Sequence, residues 1–299
     1  VTGAAARPVA ARSAPPGRAA GRPLLGLGAG RLLSALWLGF AYAFLLAPLV
    51  VIAGASLHGG HQYTVLEFPP RELSLQWYFR IPEAHVGAIL LSIQVALATA
   101  VLSCLLGVPA ALGLVRGRLP GKGALAALFR APLQIPSVVI GIAFMQLYYA
   151  IGKATGFYAV GTFFGLVLGH VFHATPYVVG TTTAILQRFD PRLEEAALSL
   201  GAGRWRAFRR VTLPLIAPGV YAGALYAFMI SFGDVPISIF LIQPGYTTYP
   251  VELFFSLEAD FNPSTLASAT LVVLFSLFVM LAVQRLVGFD NLMKSSGHR

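Results

Sequence analysis

Cysteine is almost absent. Cys104 stands alone among 299 residues, so neither an internal disulfide nor a cysteine metal cluster can form. It lies in the apolar run 100–107, where it reads as a small buried hydrophobe. Charge is equally scarce. Asp, Glu, Lys and Arg make up 11% of the chain, against about 25% in a soluble domain, while 57% is hydrophobic. That deficit excludes a disordered chain, a basic nucleic-acid-binding domain and an ordinary cytosolic enzyme, and it makes lipid the expected solvent. Acids are the scarcest charged class, 11 against 21 basic residues, for a formal charge of +10. An excess of that size raises the question of a nucleic-acid partner. The placement of the arginines answers it.

What is present is a succession of long apolar runs. A helix needs about 20 apolar residues to cross a hydrocarbon core. Six stretches qualify: 32–56, 86–115, 124–151, 161–186, 214–232 and 266–286. The run 237–242 is apolar but too short, and is expected either to extend the fifth helix or to form a re-entrant turn. Ahead of the first stretch, residues 1–31 hold Ala, Gly, Pro and five arginines with no acid and no aromatic. Such a segment buries too little to order itself, so a disordered basic tail is expected, although its Arg-rich, acid-poor character also fits a transit peptide. The first residue, Val1, fits an alternative start codon, which would put part of this tail outside the translated chain. Residues 291–299 are expected to form a second tail, leaving 32–290 as the transmembrane domain.

Charge placement tests the count. An even number of spans puts both termini on one side, together with the loops 116–130 and 187–213. That side then carries 18 of the 21 basic residues, and only Arg71, Arg80 and Lys153 fall opposite. The asymmetry marks the basic side as cytoplasmic and accounts for the net charge without nucleic acid. The expected fold is therefore all-α and polytopic, with N- and C-termini in the cytoplasm.

Helix contacts have a sequence signature too. Gly161, Gly165 and Gly169 recur at four-residue intervals in the fourth stretch, a smooth seam for another helix of this chain or of a partner. Pro48, Pro109, Pro136 and Pro176 fall within the apolar stretches, where neighbouring groups are expected to satisfy the freed carbonyls.

No catalytic constellation is present. Gly117-Arg-Leu-Pro-Gly121-Lys122-Gly123 has the wrong spacing for a phosphate loop and lacks its hydroxyl. His170 and His173 share a helical face, but no third ligand is near, so a polar pathway or interhelical hydrogen bonds are favoured over a metal. No metal and no cofactor of its own is expected.

The loop 188–214 carries the most information. Asp190-Pro191 is a helix start, with a capping carboxylate followed by a proline suited to the first turn. Gly201 is placed to end that helix in a left-handed conformation. A second short helix is expected through Trp205 and Phe208 to Pro214, where the fifth span would begin. The result is a helix-turn-helix knob with a small-residue tip: Ala196, Ala197, Gly201 and Ala202.

Here the sequence resembles a known family. Glu195-Ala196-Ala197, three residues, Gly201, nine residues, then Val211-Thr212-Leu213-Pro214 is similar to the EAA loop of ABC importer permeases of the type I (MetI-like) fold. Only Val211, in place of Ile, departs from the pattern. The resemblance covers roughly 86–287 and implies that the loop inserts into a cleft on a separate ATPase. Glu195, Ala196, Ala197 and Gly201, with Ala202 at the tip, would be coupling residues, flanked by Glu194 and Arg204. It further implies ATP and Mg held by that ATPase in two copies, a second homologous permease subunit, an extracytoplasmic substrate-binding protein, and residence in the bacterial inner membrane.

Within the family, Ser231-Phe-Gly-Asp234 with Tyr249-Pro250, and Ser74-Leu-Gln-Trp-Tyr78, resemble the polyamine (spermidine/putrescine) branch. Gly233 departs from that branch, where a second polar residue often stands, so aminophosphonate, ferric iron and thiamine stay open as substrates. Asp234, Ser231, His170, His173 and Tyr177 are the expected substrate-pathway residues. A channel or secondary transporter would show related halves, and the first three and last three spans show no repeat. A membrane enzyme built on the histidine pair would retain metal.

Overall fold

The structure is a computed structural model, and it describes residues 25–59, 68–259 and 263–287. Among these, helices dominate and only isolated bridges pair backbone in strand fashion. Among the described residues six helices are long and apolar enough to cross a membrane, an even number as the charge placement implies.

The first unit, residues 1–50, contains most of α1 (Leu25–Ala55). The helix starts at Leu25 rather than at Leu32, so the expected tail is shorter at its inner end. The helix continues through Leu25-Gly-Leu-Gly-Ala-Gly-Arg31 although each of its three glycines costs about 1 kcal/mol relative to alanine. The rest of that tail, and the tail at 291–299, lie outside the described residues. Along α1, Trp37 lies tilted against Phe40 at a ring separation of 6.0 Å, and Phe40 stacks on Phe44 at 6.5 Å.

The second unit, residues 51–299, holds the bundle. Its long helices are α2 (Glu83–Arg116), α4 (Ser137–Thr155), α5 (Phe163–Leu186), α8 (Leu213–Phe232) and α11 (Pro263–Val287). Short helices connect them: α3 (Lys122–Arg130), α6 (Arg192–Ser199), α7 (Arg204–Ala207), α9 (Ser238–Leu241) and α10 (Tyr249–Ala259).

Two expected spans are corrected. The stretch 124–151 is not one helix. α3 ends at Arg130, a 3-10 turn covers Ala131–Leu133, and Pro136, extended at ψ 131°, precedes α4. Proline removes a donor and pushes the residue before it out of the helical region, so Pro132 and Pro136 divide a run that composition alone makes continuous. Pro136 is therefore no helix-interior proline. The fifth span has the opposite correction. α7 is not separate from it but runs through a π turn, Phe208–Thr212, into α8, giving a continuous rod from Arg204 to Phe232. Pro214 has no N–H to give, and it follows directly on the π turn, where the hydrogen-bond ladder is already shifted. The run 237–242 does not extend α8. The chain breaks at Gly233–Pro236 and α9 forms alone.

α2, α5 and α8 form the core trio. A middle layer joins Ala96 and Ala100 of α2, Ala174 and Val178 of α5, and Ala227, Phe228 and Phe232 of α8. Glycines of α2 and α8 let those helices approach α5 closely. A methyl group on Gly107 would lie 2.9 Å from Val178, and one on Gly223 would lie 2.8 Å from the Cα of the same valine. The expected glycine seam is internal: Gly169 faces Leu241 of α9 and Gly165 the backbone of Ala159. Gly161 stands outside the helix at φ +73°, and Thr162 caps α5 by accepting the Gly165 amide at 3.0 Å. Tyr148 of α4 donates to the Gly165 carbonyl at 2.8 Å.

Candidate functional site

The hairpin of α6 and α7 follows the local rules closely. Asp190 Oδ1 accepts the Arg192 amide at 3.0 Å. At the far end the Gly201 amide donates to Leu198 O at 3.0 Å and the Ala202 amide to Ala197 O at 3.1 Å. That pair of bonds closes a helix only if the residue after its cap is left-handed, and Gly201 has φ +84°. α6 buries no residue of its own. Glu195, Ala196, Gly201 and Arg204 are exposed, with Ala197 and Ala202 half-buried between them. Leu200 is 89% exposed and Trp205 71%, so the tip is an apolar surface that this chain leaves open. Trp205 is held flat by stacking on Phe208 at 5.6 Å.

Glu194 behaves differently from its neighbours. Its Oε2 accepts from Arg116 Nη1 and from Thr212 Oγ1, both at 2.7 Å. The resemblance implies an outward, flanking role for this residue; here its carboxylate is engaged within the chain.

A second polar site lies inside the bundle. His170 of α5 is buried, with Nδ1 2.6 Å from Ser231 Oγ of α8 and Nε2 3.1 Å from Ser238 Oγ of α9. With both ring nitrogens hydrogen-bonded to serines, His170 has no free lone pair for a metal. Ser231 also donates to Thr99 of α2 at 3.3 Å. Asp234 lies in the break between α8 and α9. Its Oδ1 accepts the amides of Ile237 and Ser238 at 2.9 Å each and the Ser238 hydroxyl at 3.2 Å, and it stands 3.8 Å from His170 Nε2. Gly233 and Pro236 explain the local fold, because the one ends α8 and the other cannot continue it. Among the described residues nothing donates to Asp234 Oδ2.

Of the five expected pathway residues, Asp234, Ser231 and His170 form this one cluster. His173 and Tyr177 continue along the same face of α5, one and two turns away. His173 packs edge-on against Tyr177 at 6.4 Å, and Tyr177 stacks on Tyr226 of α8 at 6.2 Å. His173 Nδ1 is buried without a hydrogen-bond partner.

Several participants escape a reading of the sequence. Arg116, Thr99 and Tyr226 join their sites from distant positions with no motif to mark them, while Thr212 holds an unspecified position of the EAA-like pattern and Ser238 follows Asp234 by four residues. A third network, at the other end of α2 from Arg116, was equally hidden. His85 lies 3.0 Å from both Ser268 of α11 and Ser256 of α10, and Tyr249 reaches the same Ser268 at 3.1 Å. The segment around Trp77 is anchored nearby, with Trp77 Nε1 donating to His58 O at 2.9 Å and Tyr78 2.6 Å from Ser56.

Six apolar helices, an exposed capped hairpin between two of them and a polar cluster inside the bundle define a membrane transport permease. Residues 103–289 match the family described as the binding-protein-dependent transport system inner membrane component. The chain belongs to that family and is an ABC importer permease of the MetI-like type. It is 35% identical to the putrescine transport system permease protein PotI of Escherichia coli (strain K12), over 80% of this chain and 84% of that protein. To the spermidine/putrescine transport system permease protein PotC of the same strain it is 27% identical, over 90% of this chain and 98% of PotC. Its fold resembles a chain of a bacterial ABC transporter involved in the import of the acidic polysaccharide alginate. The TM-score is 0.65 at 17% identity, covering 91% of this chain and 98% of that one. A chain of the inward-facing MetNI methionine ABC transporter gives a TM-score of 0.55 at 16% identity, covering 68% and 94% respectively.

Proposed function

We propose that this permease carries a polyamine-class organic cation across the bacterial inner membrane, driven by an ATPase that docks on the α6–α7 hairpin. The observation that carries the substrate class is Asp234. An ionised carboxylate in an apolar bundle is costly, and such groups face water, a partner or a pathway. Asp234 spends one oxygen on capping α9 and leaves the other free. Beyond it, the rings of Tyr177 and Tyr226 offer faces that attract an alkylammonium group. The likeness to PotI and PotC supports the same class.

For the drive, the support is the open apolar tip of α6. Ala196, Ala197 and Gly201 allow close backbone approach, and Glu195 and Arg204 border them. In this reading the hairpin, both termini and the basic loops face the cytoplasm, a pair of ATPase copies holds ATP and Mg, and a second permease completes the pathway. A loaded binding protein engages the opposite face. ATPase closure moves α6, the bundles rock outward to take the cation, and hydrolysis returns the cavity inward.

The test is uptake by the assembled transporter, purified through a tag on this chain and reconstituted in liposomes. ATP-dependent accumulation of radiolabelled putrescine or spermidine is expected, with no accumulation of thiamine or ferric iron. Transport of one of the latter without any polyamine uptake refutes the substrate class. Failure of an ATPase to co-purify refutes the drive.

A further inference from the structure

We propose that Glu194 is a positioning residue that relays the movement of α6 to α2 and α8, with Arg116 and Thr212 as its receivers. The inference rests on the reading that α6 is where the ATPase pushes.

Two backbone links leave α6, the segment 187–191 to α5 and the hydrogen-bonded turn Gly201-Ala202-Gly203 to α7. A third, side-chain route runs through one carboxylate oxygen. Glu194 Oε2 holds Arg116, the last residue of α2, and Thr212, the last residue of the π turn before α8, at 2.7 Å each. Both distances belong to the short, charge-assisted class of hydrogen bond. Thr212 is fully buried, and the Glu194 side chain is 23% exposed, so the tie is partly shielded from salt.

Each receiver is itself fixed. The Arg116 guanidinium lies 5.0 Å from the centre of the Phe189 ring, which connects α2 to the segment leaving α5. Thr212 ends a five-residue π turn, where the ladder of a helix is easily re-registered. Displacing Glu194 therefore acts on two of the three core helices directly and touches the exit of the third through Phe189. Glu195, one residue on, is exposed and belongs to the surface that meets a partner. Adjacent glutamates thus divide the work, one facing outward and one inward.

The experiment compares substrate transported per ATP hydrolysed in the reconstituted transporter. Glu194→Gln, Arg116→Gln and Thr212→Val are each expected to purify with the ATPase still bound and hydrolysing. Transport per ATP is expected to fall about fivefold or more in Glu194→Gln and Arg116→Gln, the lower end of ordinary intersite coupling. The charge exchange Glu194→Arg with Arg116→Glu restores the ion pair, and its new arginine can donate to Thr212, so it is expected to recover most of the ratio. A protein that merely lost stability would lose yield without changing this ratio. If a Glu194 variant fails to insert, Arg116→Gln and Thr212→Val carry the test.

A wild-type ratio in all three single variants overturns the relay. So does loss of bound ATPase on changing Glu194 but not Arg116, which would make Glu194 a docking contact. Gly201→Val separates the two readings. If that variant keeps both ATPase and transport, the dock is misplaced and both fall. If it sheds the ATPase while the Glu194 variants behave as wild type, only the relay falls.

Discussion

His170 Nδ1 lies 2.6 Å from the Ser231 hydroxyl, across the contact between α5 and α8, and the same ring reaches Ser238 of α9 with its other nitrogen. One side chain thereby ties three helices together where backbone bonds cannot. His170→Ala removes both of these bonds, at about 0.5–1.5 kcal/mol each, while Ser231 keeps Thr99 and Ser238 keeps Asp234 as partners. The expected outcome is a lower unfolding temperature of the purified transporter in detergent. In a His170→Ala/Ser231→Ala double variant the loss should be smaller than the sum, because both single variants lose the same His170–Ser231 bond. Additive losses would mean that the two residues do not depend on each other.

Asp234 combines two roles that substitution can separate. Asn at this position keeps an oxygen for the Ile237 and Ser238 amides but removes the charge; Ala removes both. Asp234→Ala is expected to destabilise the α8–α9 break by about 1 kcal/mol, the usual value of a lost cap. Asp234→Asn should assemble normally yet show a higher KM for putrescine and spermidine. If Asn transports both with unaltered KM, the carboxylate serves only as a cap and the substrate does not meet it.

How much of this was legible from the sequence depends on how local each feature is. The start of α6 at Asp190-Pro191 and its stop at Gly201 were readable, because a helix cap is decided within a few residues of itself. The six-span count was readable because composition and charge asymmetry both report on it. The break between α3 and α4 was obscured by an apolar run that stays hydrophobic through Pro132 and Pro136. The continuity of α7 with α8 was obscured by Pro214, which suggests a boundary yet follows a π turn that has already shifted the hydrogen-bond ladder. The inward turn of Glu194 had no local signal at all. It depends on Arg116, 78 positions away, and on Thr212, which reach it only after three helices have packed.

Close packing of α2 on α5 can be tested by the sign of one substitution. In an unobstructed helix, replacing Gly by Ala is favourable by about 1 kcal/mol. At Gly107 the added methyl group would meet Val178 at 2.9 Å, with the Val179 amide nitrogen 3.4 Å away. Overpacking of this kind costs about 1–3 kcal/mol, so Gly107→Ala is expected to lower thermal stability instead of raising it. Adding Val178→Ala makes room and should return part of the loss. A stabilised Gly107→Ala protein would show that the two backbones are farther apart than described.

Gly201 gives the sharpest test of the hairpin, because its requirement is conformational and its side chain would meet nothing within 4 Å. At φ +84° the cost of a substitution comes from the backbone alone. Asn tolerates the left-handed region, Ala is disfavoured there by roughly 1–2 kcal/mol, and a β-branched residue fares worse still. Loss of the turn would release the Leu198 and Ala197 carbonyls and swing the tip of α6 away from its present direction. The amount of ATPase recovered with the tagged chain, and ATP-dependent uptake with it, should therefore fall in the order Gly, Asn, Ala, Val. Since no new contact is created in open space, a steric clash at the tip cannot by itself produce that ranking before the ATPase docks. An order set by side-chain volume alone, with Asn worse than Ala, would instead mean that the partner packs directly on this position and that the turn is not what limits coupling.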